Sequence, residues 1–150
     1  ARGRTYTERI GYLPQRLDGL DADRSVLDNV RDAAPTASPN EVRAGLARFL
    51  LRGDAVERPV RTLSGGERFR VAVARLLLAD PPPQLLVLDE PTNNLDLVSA
   101  EQLVEALAAY RGALLVVSHD DAFLDRLRLT RRLELDAAGR LHEVDPVPSR

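Results

Sequence analysis

Residues 85–96 read LLVLDEPTNNLD. Leu85 to Leu88 form a continuous apolar run of strand length, as expected of a strand covered on both faces in a parallel sheet. Asp89 and Glu90 follow at once, and carboxylates at the end of a buried strand are costly unless they have a partner or a task. A second apolar run, Ala113 to Val117 (ALLVV), leads into Ser118-His119-Asp120. A third, Ile10 to Leu13 (IGYL), is stopped by Pro14 and followed by Gln15. Helical stretches lie between these runs. Strands alternating with helices predict an α/β fold with a parallel sheet and right-handed crossovers. Ligands of such sheets bind at the carboxyl ends of the strands, which places Gln15, Asp89, Glu90 and His119 at the edge that matters.

The helices carry their own punctuation. Residues 18–51 read as helical, with Ser25 and Asp28 three apart as in a capping box and Val26, Leu27 and Val30 facing the core. Ser38-Pro39-Asn40-Glu41 supplies an N-cap, a proline in the first turn and an acid at the third position. Val42, Leu46, Phe49 and Leu50 then form an apolar face. Ser64-Gly65-Gly66-Glu67 repeats the cap, and Phe69, Ala72, Val73, Leu76 and Leu77 form the stripe behind it, ending before Pro81-Pro82-Pro83. A helix over 97–110 presents Leu97, Ala100, Leu103, Val104 and Leu107, and a short one covers 120–127. Residues 132–135 and 140–144, joined through Ala138-Gly139, predict a terminal hairpin.

Each polar motif admits a functional and a structural reading. Asp89 can hold Mg²⁺, a cation that prefers hard oxygens and keeps part of its hydration. Glu90 can polarise a water for attack on a phosphoryl group. The same two acids could simply cap the turn after the strand. Gly65 and Gly66 let backbone N–H groups approach an anion at a helix N-terminus, with the Ser64 hydroxyl adding a donor. They could equally open an ordinary capped helix. His119 could contact a terminal phosphate, or merely lie beside a helix capped by Ser118. The Gln15 amide could ligate Mg²⁺ or orient water, or be a solvated loop amide. Asp96 could serve a site or cap the helix that begins at Leu97. Arg68, Arg70 and Arg75 scatter around their helix as a solvated face. Tyr6 and Tyr12 could stack on a base, although structural roles fit them better.

Composition narrows the field. The chain has 150 residues and a net charge of −2, which argues against a bulk electrostatic grip on nucleic acid. Cysteine is absent, removing disulfides, thiolate metal sites and a cysteine nucleophile. No apolar run approaches the roughly 18 residues of a membrane span. Methionine is absent, as expected of a piece of a longer chain, and all 21 basic residues are arginine. Chemistry that needs a lysine must come from elsewhere.

Taken together, Gln15, LSGGE at 63–67, LLVLDEPTNNLD at 85–96 and SHD at 118–120 resemble the Q-loop, signature, Walker B, D-loop and switch histidine of the ATP-binding cassette (ABC) ATPase domain, in that family's order. The resemblance covers roughly residues 10–127. PTNNLD, SHDDAFLD and LSGGERFRVAVARLLLADP are most similar to the ABC-F subfamily, soluble proteins with two such domains and no membrane part. Many members read Ser-His-Asp-Arg at the switch, where this chain has Asp121.

The resemblance implies a partial P-loop NTPase-like nucleotide-binding domain. Residues 1–17 would be the strand and Q-loop of the core, 18–63 a helical subdomain, 64–127 the signature helix through the switch histidine, and 128–150 terminal strands and tail. It implies ATP and Mg²⁺ as cofactors. Asp89 and Gln15 would serve the metal, Glu90 and His119 would be catalytic, and Ser64, Gly65, Gly66 and Asp96 would face the nucleotide. The partner would be a second cassette across a head-to-tail dimer, with the ribosome as a further partner. The alternative is the ATPase subunit of a transporter, docked on membrane subunits. The family's phosphate-binding loop, G-x-x-x-x-G-K-[ST], is absent from a chain without lysine, so this segment is expected to be inactive alone. A truncated cassette serving only as an interaction module is the third reading.

Overall fold

A computed structural model of the protein describes residues 6–13, 19–93 and 95–144. Strand β1 (Ile10–Leu13), β2 (Leu85–Asp89) and β3 (Ala113–Val117) form a parallel sheet in the order β1-β2-β3. Register pairs Leu13 with Leu88, and Asp89 with Val117. Helices α1 (Val26–Arg31), α2 (Pro39–Ala47) and α3 (Gly65–Leu77) lie between β1 and β2 in sequence, with 3₁₀ turns at Gly53–Val56 and Val60–Thr62. Helix α4 (Leu97–Ala109) joins β2 to β3. Helix α5 (Asp121–Arg126) and an antiparallel hairpin, β4 (Arg132–Leu135) with β5 (Leu141–Val144), complete the described residues. The α/β architecture, the parallel sheet and the terminal hairpin are those predicted from the sequence.

The helix starts follow local chemistry. Ser38 accepts from the Glu41 N–H while the Glu41 carboxylate accepts from the Ser38 N–H, a complete capping box, and Ser64 with Glu67 forms another. Ser25 accepts from the Asp28 N–H. Buried Asn29 then pins the turn before α1, donating to the Asp21 and Ser25 carbonyls and accepting from the Asp21 N–H.

Several expectations are corrected. The helical reading of 18–51 resolves into two short helices. α2 stops at Ala47, and the chain reverses at Leu50 in the left-handed region (φ 59°). Leu50 is therefore exposed and Leu51 enters the core instead. Helix α3 packs against α1, α2, α4 and β1. It is buried on more than one side, so Val71 and Ala74 lie deepest, while Ala72, Leu76 and Leu77 are only half-buried. On α4 the buried face runs through Ser99, Leu103, Val104 and Leu107, and Leu97 is 72% exposed.

The largest departure concerns the sheet. One face carries Leu13, Leu86 and Leu88 into the core beneath the helices. The other is open: Ile10, Tyr12, Leu115 and Val117 are exposed, the last two at 52% each. The run ALLVV forms an edge strand bare on one face, rather than a strand buried on both. Tyr12 lies on that open face and Tyr6 is fully exposed, so neither packs into the core.

Candidate functional site

Parallel register brings the ends of β2 and β3 side by side, and with them the polar residues that follow. The Glu90 N–H donates to the Val117 carbonyl at 2.8 Å, extending the pairing one residue past the sheet. Glu90 itself has φ 46°, the left-handed region that L side chains seldom occupy. This turn sends its carboxylate toward the chain leaving β3. The His119 N–H donates to Glu90 Oε2 at 3.4 Å, and His119 Nε2 lies 3.2 Å from Glu90 Oε1. The Glu90 side chain is 17% exposed and that of His119 is 97% exposed, so the pair presents an open imidazole in front of a sheltered carboxylate. Half-buried Asp89 stands at the last position of β2. Helix α5 is capped by Asp120, which accepts from the Phe123 N–H, whereas Ser118 only accepts from the Asp120 N–H.

A second cluster forms where the N-termini of α3 and α4 meet. Ser64 and Gly65 are exposed at the tip of α3. The Ser64 N–H, donating to Glu67, holds that carboxyl below the usual carboxylate range. Asp96 caps α4, accepting from the Ser99 N–H at 2.8 Å and from the Ser99 hydroxyl at 3.2 Å. Those bonds, the backbone one foremost, and then the Arg70 charge hold the Asp96 carboxyl below its ordinary value. A Cβ on Gly66 would collide with Asp96 Oδ2 and lie 2.8 Å from Ser99 Oγ, while one on Gly65 would meet nothing within 4 Å. Gly66 is therefore small because the two helix ends touch, a reason internal to the fold.

The sequence-predicted residues thus fall into two groups: Asp89, Glu90 and His119 at the sheet edge, and Ser64, Gly65, Gly66 and Asp96 at the helix tips. Among the described residues no side-chain hydrogen bond or ion pair joins the groups. Gln15 lies outside the described residues. None of these residues lines the cleft of about 380 Å³ between Phe49, Leu78 and Tyr110. Sequence reasoning missed Ser99. Its signal was its place three residues after Asp96, hidden because the apolar face was drawn through Leu97 and Ala100.

No cluster of three or more His, Asp or Glu among the described residues could hold a metal ion. A lone strand-end carboxylate nonetheless suits Mg²⁺, which binds through one or two carboxylates together with waters and substrate phosphates. These residues supply no lysine for a phosphate cradle, since the sequence contains none.

Residues 2–93 match the family model described as ABC transporter. The chain belongs to this family. It is 42% identical over 120 residues to the ATP-binding protein Uup of Escherichia coli (strain K12), covering 77% of this chain and 19% of that protein. It is 39% identical over 126 residues to ABC transporter F family member 5 of Arabidopsis thaliana, covering 83% of this chain and 18% of the relative. With ATP-binding cassette sub-family F member 3 of Mus musculus the identity is 38% over 117 residues, 77% of this chain and 16% of the relative. The resemblance to the F kind is thereby upheld, and the chain spans about a fifth of the length of the curated relatives it matches. Among solved structures, the ATP-binding cassette MJ0796, in a dimeric post-hydrolysis state bound to ADP and Pi, superposes with a TM-score of 0.65 at 25% identity, covering 79% of this chain and 55% of that one. The fold is that of an ABC ATPase domain. No helix among the described residues is long and apolar enough to cross a membrane.

Proposed function

We propose that this chain is the carboxyl-terminal part of a nucleotide-binding cassette that binds and hydrolyses ATP, in a cytoplasmic protein of the ABC-F kind. The observation that carries the reading is the pairing of Glu90 with His119 beside Asp89 at the carboxyl edge of the parallel sheet. Asp89 helps hold Mg²⁺, which when bound neutralises charge on the transferred phosphoryl group. Glu90 accepts the proton of the attacking water, and its sheltered position keeps the carboxylate aimed by two contacts from His119. His119, almost wholly exposed, is free to reach the γ-phosphate. Gln15 senses the metal and the water.

The tip Ser64-Gly65-Gly66, exposed at Ser64 and Gly65, reaches a nucleotide held by a second cassette, and Asp96 lines the seam between the two. The dimeric state of the MJ0796 cassette supports this arrangement. The phosphate-binding loop comes from chain outside these 150 residues. The open sheet face, with Tyr12 and Leu115 half exposed, offers that chain a place to pack. Alone, the segment binds ATP poorly and does not turn it over. We extend the reading, on the ABC-F resemblance, to action on the ribosome or in antibiotic resistance; service to a membrane transporter is the alternative.

The test is Glu90→Gln in the full-length protein, followed by nucleotide binding and phosphate release. Binding is expected to persist while turnover falls by roughly 10²–10⁴-fold, the usual worth of a general base. Hydrolysis at the parent rate would remove Glu90 from the mechanism.

A further inference from the structure

Ser99 is the deepest polar side chain of α4, with no exposed surface, and it sits where a nonpolar residue would be the ordinary choice. Its hydroxyl donates to Asp96 Oδ2 at 3.2 Å, and its N–H donates to Asp96 Oδ1 at 2.8 Å. Both contacts fix one carboxylate. That carboxylate and the Ser99 hydroxyl together fill the space a side chain at residue 66 would need. Arg70, one helical turn beyond Gly66, adds its charge to Asp96, and its Nε is buried without a hydrogen-bond partner among the described residues. The first turn of α3 and the first turn of α4 thus meet closely where Gly66 abuts the Asp96–Ser99 pair.

We propose that Ser99 is a positioning residue, which locks the Asp96 carboxylate against Gly66 so that the tip of α3 and the loop before α4 move as one unit. The inference rests on the proposed function in one respect: there, Ser64–Gly66 reach nucleotide and Asp96 lines the seam between cassettes. A rigid joint between them transmits a displacement of either to the other. An apolar residue at 99 would pack the helices and keep the backbone donor to Asp96 Oδ1, but would leave Oδ2 without the hydroxyl that fixes its direction.

Two readouts separate the parts of this proposal, both in the full-length protein. The first uses no nucleotide. Ser99→Ala removes the hydroxyl, and Ser99→Cys keeps nearly the same volume with a weak donor, which guards against a simple folding failure. Both are expected to raise hydrogen exchange of the residue-99 amide by roughly five- to tenfold. Unchanged exchange in the two variants overturns the lock.

The second readout is a double-mutant cycle with Asp96→Ala, read in ATP turnover and ATP affinity. Ser99→Ala is expected to lower turnover roughly five- to tenfold and to leave affinity within twofold. The double variant is expected to turn over no more slowly than Asp96→Ala alone. Effects that multiply instead show Ser99 acting independently of Asp96 and overturn the proposal. A parent protein that neither binds nor hydrolyses ATP sinks the proposed function, while the exchange measurement still decides the lock.

Discussion

Gly65 and Gly66 are adjacent, both lie in the first turn of α3, and helix propensity treats them alike. Replacing a helical glycine with alanine gains up to about 1 kcal/mol through backbone entropy. At Gly65 nothing lies within 4 Å of the added methyl, so Gly65→Ala is expected to be neutral or stabilising by up to about 1 kcal/mol. At Gly66 the methyl falls on Asp96 Oδ2 and 2.8 Å from Ser99 Oγ. Asp96 Oδ2 must move, which leaves the fully buried Ser99 hydroxyl without its acceptor. An unsatisfied buried group costs about 1–3 kcal/mol. Set against the propensity gain, the net is a loss on the order of 1–2 kcal/mol. For a domain of this size that lowers the melting temperature by roughly 2–8 °C. Urea titrations followed by circular dichroism would compare the midpoints of parent and both variants. A Gly66→Ala midpoint at or above that of the parent, or equal losses at both glycines, would refute the reasoning.

The Ser64–Glu67 box makes stability depend on pH. Glu67 has its carboxyl held down in the folded state, so its contribution is present above the ordinary carboxylate pKa and is lost as pH falls through the lowered folded value. Glutamine at 67 keeps the cap geometry without a titrating group. Glu67→Gln is therefore expected to flatten the decline in urea midpoint below about pH 5, and an unchanged decline would count against the cap. The two faces of the sheet should respond differently. Leu86→Ala, on the covered face, is expected to cost about 2–5 kcal/mol in thermal or urea unfolding, because Leu86 is 1% exposed. Leu115→Ser, on the open face, is expected to change the stability of residues 1–150 by less than about 0.5 kcal/mol, and a larger loss would show that face to be covered.

The elements whose causes lie within a few residues are legible in the sequence alone. Ser38 with Glu41, and Ser64 with Glu67, announce helix starts because both partners of each capping box lie three residues apart. The three apolar runs announced strands, and the order of alternation announced that they pair in parallel. The motifs then placed Asp89, Glu90 and His119 at one edge, and the paired ends of β2 and β3 bring Glu90 to within 3.2 Å of His119.

Matters of degree and of long-range contact were not legible. ALLVV reads as buried on both faces, but whether a face is covered depends on what else packs there, and Leu115 and Val117 stand half exposed. The apolar face of α4 was drawn through Leu97 because hydropathy cannot see that Asp96 satisfies the Ser99 hydroxyl and lets a polar residue go inside. Gly66 reads as an anion-binding glycine from its neighbours in sequence. Its close fit against Asp96, thirty residues further on, appears only once α3 and α4 are packed. Hydrogen bonds within one helical turn are encoded by the residues that make them, whereas burial is a property of the whole assembly of surfaces.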